Sequence, residues 1–296
     1  MKKWKTLGAA AGLALTLVAA GCGNDSSSSD SFSEQVDYTI TGIEAGAGVM
    51  SATERAIEDY DQLNGWTLQP SSSGAMATTL GEAIKDEEPI IITGWTPHWM
   101  FSKYDLKYLE DPKGSFGSEE TINTMTRQGF ADDVPGANTV LDQFNWSTDD
   151  MGEVMLEVSE GADPAEAARN WVDGHADQVA EWTEGAEEGS GQEVSLAYVE
   201  WDSEVASTNV MKVVLDDLGY NTSITPLDNA VMWQSIANGE ADAMVAAWLP
   251  TTHGELYEQY KDQVVDLGPN LEGAKTGLVV PNYVDADSIE DLKPKE

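Results

Sequence analysis

Apolar and polar positions alternate along this chain in two rhythms. Tyr38–Ile43 alternates in the manner of a strand, Ser51–Tyr60 carries apolar or small residues at helical intervals, and Trp66–Pro70 alternates again. Ala75–Lys85 reads as a helix and Pro89–Thr93 as an apolar strand. Strand, helix, strand, helix, strand is the order of a doubly wound α/β unit. The plan returns later, with strands at Val194–Val199, Asn221–Pro226 and Ala243–Ala247 and helices at Ser207–Leu218 and Ala230–Asn238. Between the two units, Thr121–Gly129, Ala137–Gln143, Thr148–Gly161 and Pro164–Glu181 are predicted helical, with Pro164 suited to a first turn. Glu184–Glu193 has the composition of a linker.

The third strand of each unit runs into the same signature. Trp95–Pro97 and Trp248–Pro250 are both Trp-x-Pro, a histidine follows each (His98, His253), and a tyrosine stands nine residues after each Trp, at Tyr104 and Tyr257. Proline ends ladder pairing and stiffens the turn, so the Trp is held at the carboxyl end of its strand. That end is where open α/β sheets bind ligands. A single Trp reads most simply as core; duplication at two strand ends points instead to a cleft walled by indoles. Placing Ile43-Glu44 on Val199-Glu200 sets Ala45 opposite Trp201, so the second unit offers an indole where the first offers the glycine-rich turn EAGAGV.

Three tryptophans at strand ends suit a quaternary ammonium group, which stays positive yet has no N–H to donate. Each indole face contributes about 0.5–2 kcal/mol of cation–π attraction, without the desolvation cost that a carboxylate would incur. The amides of Gly48 and Val49, at the start of a helix, could hold a carboxylate, with His253 as a third donor from the other unit. A ligand cationic at one end and anionic at the other, a betaine, fits this set. His98 is expected to be structural, and His175 exposed within the helical region.

Charge narrows the partners further. The formal net charge of −38 over 296 residues makes nucleic acid and anionic lipid surfaces poor partners, and the spread of acids fits the solvated surface of a salt-adapted protein. Lys2, Lys3 and Lys5 precede the apolar run Leu7–Ala20, the order of a signal peptide and too short to span a bilayer. That run closes at Cys22 in Leu-Val-Ala-Ala-Gly-Cys, before the polar stretch Asn24–Ser31, and so resembles a bacterial lipobox with Cys22 as the acylated residue. Since Cys22 is the single cysteine, no disulfide forms within the chain. A hydrolase would need a nucleophile and base, but the three histidines lack metal-ligand spacing and no Gly-x-Ser-x-Gly occurs. No catalytic residue, metal or cofactor is expected.

The segments GWTPHWMFSKYDLKYLEDP, YVEWDSEVASTNV, MVAAWLPTTH and DLGPNLEGAKTGLVVP resemble the glycine betaine-binding lipoproteins of OpuA-type ABC transporters, the OpuAC group, and the likeness runs through nearly all of Tyr38–Leu292. It implies an α/β, two-lobed, hinged solute-binding protein of the type II periplasmic-binding-protein kind, with doubly wound sheets. Trp95, Trp201 and Trp248 fall on that family's trimethylammonium cage, and Gly48, Val49 and His253 on its carboxylate contacts. The division expected is a signal peptide at 1–21, a lipidated polar tether at 22–36, a first lobe at 37–183, a linker at 184–193 and a second lobe at 194–296. The expected partners are glycine betaine, with proline betaine as a further ligand, an ABC permease, and the outer face of the cytoplasmic membrane through the lipid. Choline or carnitine is the alternative ligand.

Overall fold

The computed structural model describes residues 31–296, so the segment ending at Cys22 lies outside the described residues. Nine strands join in one mixed sheet: β1 (Thr39–Thr41), β2 (Thr67–Gln69), β3 (Ile92–Thr96), β4 (Leu106–Tyr108), β5 (Glu120–Arg127), β6 (Glu193–Tyr198), β7 (Asn221–Pro226), β8 (Ala243–Leu249) and β9 (Val264–Pro281). Their order is β2-β1-β3-β9-β5-β8-β6-β7, with β4 also on β9. β1 pairs in parallel with β2 and β3, and β6 pairs in parallel with β7 and β8. The two orders, 2-1-3 and 7-6-8, are the same winding used twice. The strand–helix repetition expected from the hydrophobic pattern is therefore present, and β3 and β8 occupy equivalent places.

The chain departs from expectation in the middle. Thr121–Gly129, expected to be a helix, is the strand β5, lying antiparallel between β8 and β9. Thr121, Ile122, Thr124 and Thr126 are β-branched, and β5 is buried on both faces from Ile122 through Thr126 apart from minor exposure. A central strand covered on both sides loses the polar-out alternation that marks a half-exposed one. β9 was masked in another way, because its glycines and Pro269 read as turn residues. Gly273, at φ +83°, is skipped where the register with β5 shifts between Ala274 and Glu272, as a glycine bulge allows. β9 pairs with β5 up to Ala274, then with β3 from Lys275 and with β4 to Pro281. One strand thus serves both windings.

The predicted helix 164–181 is two helices, Pro164–Gly174 and Ala176–Trp182, parted at His175. Thr148–Ser159 and Pro164–Gly174 pack on the helix Asp202–Asp217. The acidic stretch after Trp182 also docks: Tyr220 Oη donates to the Glu187 carbonyl at 2.9 Å. Among the described residues no helix is long and apolar enough to cross a membrane.

Candidate functional site

β3 and β8 each deliver a Trp to the space between the two windings. Trp95 stands opposite Thr276 of β9, and Trp248 opposite Ile122 of β5. Both following prolines are joined by cis peptides, Thr96–Pro97 and Leu249–Pro250. Trp201 comes from a third direction, as the residue preceding the first turn of the helix Asp202–Asp217. Gly48 and Val49 are the first two residues of the helix Gly48–Asp59. These five, together with Ile43, Ala47, Ser203, Thr252 and Thr276, line one narrow hollow. The amides of Gly48 and Val49 have no hydrogen-bond partner among the described residues, as first-turn donors do until a cap or ligand supplies one. A Cβ on Gly48 would collide with the backbone carbonyl of Thr252 from the other winding.

The turn carrying Thr252 is tied down by β5. Glu120, 2% exposed, accepts from the amides of Thr251 and Thr252, each at 2.7 Å, and from the Thr252 hydroxyl. His253 follows, buried beside the hollow rather than lining it. Its Nδ1 accepts from the Trp248 backbone N–H at 3.1 Å, which leaves the proton on Nε2, and Nε2 has no partner. Its ring lies stacked 6.1 Å from Trp201 and edge-on at 5.8 Å from Trp233. Burial pushes this imidazole down to about 4, and the nearby Ala246 carbonyl, outside hydrogen-bonding geometry to Nε2, opposes that only partly. It is neutral at pH 7. His98 is also buried, with Nδ1 accepting from the Met100 amide at 3.2 Å. His175 is partly exposed and stacks on Trp171 at 4.2 Å.

Behind the indoles stand three carboxylates that sequence reasoning left without a role. Glu44 Oε2 accepts Trp201 Nε1–H at 3.2 Å, while its Oε1 accepts the Ser73 amide at 3.0 Å. Asp202 Oδ1 accepts Trp99 Nε1–H at 3.0 Å; its Oδ2 accepts the Ser73 hydroxyl at 3.1 Å and lies 3.4 Å from His98 Nε2. Burial acts to raise the Asp202 carboxyl, but His98, Trp99 and Ser73 outweigh it and hold the group below its ordinary range. Glu204 Oε1 accepts Trp248 Nε1–H at 2.8 Å and is 3.4 Å from the Ser203 hydroxyl. Burial pushes this carboxyl up to about 8 against the pull of those two donors. The signal for Glu204 was present: it shares a helical face with Ser207, Thr208 and Met211, all buried.

Chemically, the hollow offers aromatic faces for an apolar cation and two free amides for an anion. Among the described residues there is no group of three side chains able to hold a metal.

Comparison with known proteins agrees in kind. Residues 24–174 and 192–296 match the family model OpuAC, described as the substrate binding domain of an ABC-type glycine betaine transport system. A glycine betaine/carnitine transport binding protein of Listeria monocytogenes is 52% identical over 99% of both chains. Among solved structures, lactococcal OpuAC complexed with glycine betaine in a closed form is 56% identical over 51% of this chain and 59% of that one, with a TM-score of 0.49. A glycine betaine/L-proline-binding protein from Borrelia burgdorferi is 33% identical over 50% of this chain and 57% of that one, with a TM-score of 0.46.

Proposed function

The chain belongs to the family of substrate-binding proteins of ABC-type glycine betaine transport systems, and on that premise we propose that it captures glycine betaine between Trp95, Trp201 and Trp248 and hands it to a membrane permease for osmoprotectant uptake. As a substrate-binding protein of an ABC importer it works outside the cytoplasm. The observation that carries the ligand reading is that three indoles and the two unpartnered amides of Gly48 and Val49 line the same hollow. The trimethylammonium lies against the indole faces, where cation–π attraction and methyl contact add. The carboxylate takes the two amides at the helix start, where the dipole favours an anion. His253 Nε2–H, buried and unpaired, is the third donor once the ligand is in place. Closure brings the halves of the site together, because Gly48, Val49 and Trp95 belong to one winding and Trp201, Trp248 and His253 to the other. The protein is held at the outer face of the membrane by acylation of Cys22 after removal of residues 1–21, and metabolic labelling with a radioactive fatty acid, lost in Cys22→Ser, tests this.

Carnitine is the second ligand to weigh, since the Listeria relative is named for glycine betaine and carnitine. A thermal-shift and calorimetric series with glycine betaine, proline betaine, carnitine and choline decides among them, because a ligand that binds only the folded state raises its apparent stability. Glycine betaine should bind most tightly, and choline, which lacks the carboxylate, at least about tenfold more weakly. Equal affinity for choline and glycine betaine would remove the Gly48–Val49 amides from the account.

A further inference from the structure

Glu204 is a buried carboxyl directly behind Trp248, and the binding mode proposed for betaine makes no use of it; Glu120, the other buried carboxyl near the hollow, is taken up by the Thr251–Thr252 turn. Glu204 is 1% exposed, no cation contacts it, and its two polar neighbours, Trp248 Nε1 and Ser203 Oγ, both belong to residues that line the hollow. A carboxyl so placed is costly unless something compensates it. The hollow, by the reading above, receives a permanent cation on the far side of the Trp248 ring. An indole whose N–H donates to a carboxylate becomes richer in π-electron density, and the negative charge adds a direct attraction in a site from which water is largely excluded.

We propose that Glu204 is the charge-selecting residue of the cage: acting through Trp248, its carboxylate makes the site prefer an onium ion over a neutral group of the same shape. The inference rests on the cage reading above and deepens it. Apolar contact alone cannot make this distinction, since a trimethylammonium and a tert-butyl group present nearly the same methyl surface. Nor can the other acids replace Glu204 at Trp248. Glu44 is bonded to Trp201, and Asp202 to Trp99, Ser73 and His98.

Proton linkage follows from the same arrangement. Without ligand, burial holds Glu204 largely protonated at neutral pH. A cation entering the cage favours the ionised form, so binding releases a proton. The other titratable groups around the site are Asp202 on the same helix, Glu44 on the glycine turn, Glu120 at the start of β5 bonded to the Thr251–Thr252 turn, His98 after β3 and His253 after β8. His253 is already neutral at pH 7.

The test compares glycine betaine with tert-butylacetate, in which carbon replaces the onium nitrogen, on wild type and Glu204→Gln by calorimetry at about pH 7. The amide keeps an acceptor for Trp248 Nε1–H and removes only the charge. The wild type should prefer betaine strongly, and E204Q should reduce that preference about tenfold by weakening betaine and leaving tert-butylacetate unchanged. Equal wild-type affinity for the two ligands overturns the onium cage and this inference with it. A wild-type preference that E204Q retains in full overturns the role of Glu204 alone. Should E204Q fail to fold, betaine titration of the wild type in two buffers of different ionisation heat decides the matter: net proton release supports the proposal, and none overturns it.

Discussion

Two tryptophan clusters of similar burial do opposite things in this molecule. Trp146, Trp171 and Trp182, in the helical region, are 5, 3 and 0% exposed; Trp95, Trp201 and Trp248 are 5, 7 and 3% exposed. In the first cluster the rings fill one another's space. Trp171 stacks on Trp182 at 5.6 Å and on His175 at 4.2 Å, Trp146 meets Trp171 edge-on at 5.6 Å, and Phe144 closes on Trp182 at 5.0 Å. All three indole N–H groups there are buried without a partner. In the second cluster the rings surround a hollow, and Trp201 and Trp248 each donate to a carboxylate. The difference is mechanical. Rings packed on rings need no further restraint, and the cluster tolerates unmet donors at a cost. Rings around a space have nothing on one side to stop them rotating, so hydrogen bonds from neighbouring elements fix their planes. Burial and residue type do not separate these two clusters; the hollow, and the carboxylates that hold two of the three rings around it, do.

The sharpest way to break this comparison is to truncate one ring from each cluster. Trp171→Ala should cost about 3–5 kcal/mol of stability through the cavity it leaves, while the folded fraction binds glycine betaine as before. Trp248→Ala should differ in weakening betaine by about 3 kcal/mol, roughly a hundredfold, beyond the stability it loses by emptying a buried position and leaving Glu204 without its donor. If calorimetry and urea melts give the two variants the same profile, the distinction between packed and hollow clusters fails.

A smaller effect sharpens the electrostatic side. The folded pKa of His253, about 4, lies below its ordinary value, so the unfolded chain binds the proton first. Its contribution is present above about pH 6.5 and is lost as pH falls toward 4, reaching about 3 kcal/mol there. Glu204 has the opposite sign: its pKa is raised, so stability is lost as pH rises from about 4.5 toward 8. His253→Gln should flatten the acid limb of the stability–pH curve measured on unliganded protein. An unchanged slope between about pH 6.5 and 4 would show that the ring is not held neutral by burial. Smallest of the set is Gly48→Ala. Its Cβ would meet the Thr252 carbonyl, so betaine should dissociate faster and bind about tenfold more weakly while the helix Gly48–Asp59 gains slightly in propensity. Affinity at the wild-type level would mean that the two windings need not approach so closely.

Much of this arrangement was legible in the chain. The Trp-x-Pro repeats placed β3 and β8 at equivalent positions, and setting Ile43-Glu44 on Val199-Glu200 singled out Trp201 as the third ring. The twice-used winding followed from strand and helix periods. What escaped was whatever depends on neighbours distant in sequence. β5 runs where a helix is expected, because a strand buried on both faces shows no alternation, and Val264–Pro281 carries no strand signal, because Gly268, Pro269 and Gly273 look like turn residues until they are seen lying along β5. The carboxylates escaped for a related reason. Glu44 and Asp202 sit among 53 acidic residues, and only the indole facing each one tells them apart from a solvated surface; Glu204 is marked besides by its place on the buried face of its helix.

β9 has a consequence for how the molecule comes into being. Because Lys275–Pro281 supplies the strand beside Trp95, and Val264–Ala274 the strand beside β5, neither β3 nor β5 can pair along that edge until β9 has been made, although β2–β1–β3 and β5–β8–β6–β7 pair without it. A nascent or partly exported chain therefore remains open along that seam until Val264–Pro281 arrives. Pulse-labelled intermediates stopped short of Val264 should stay sensitive to protease, and those extended past Pro281 should not.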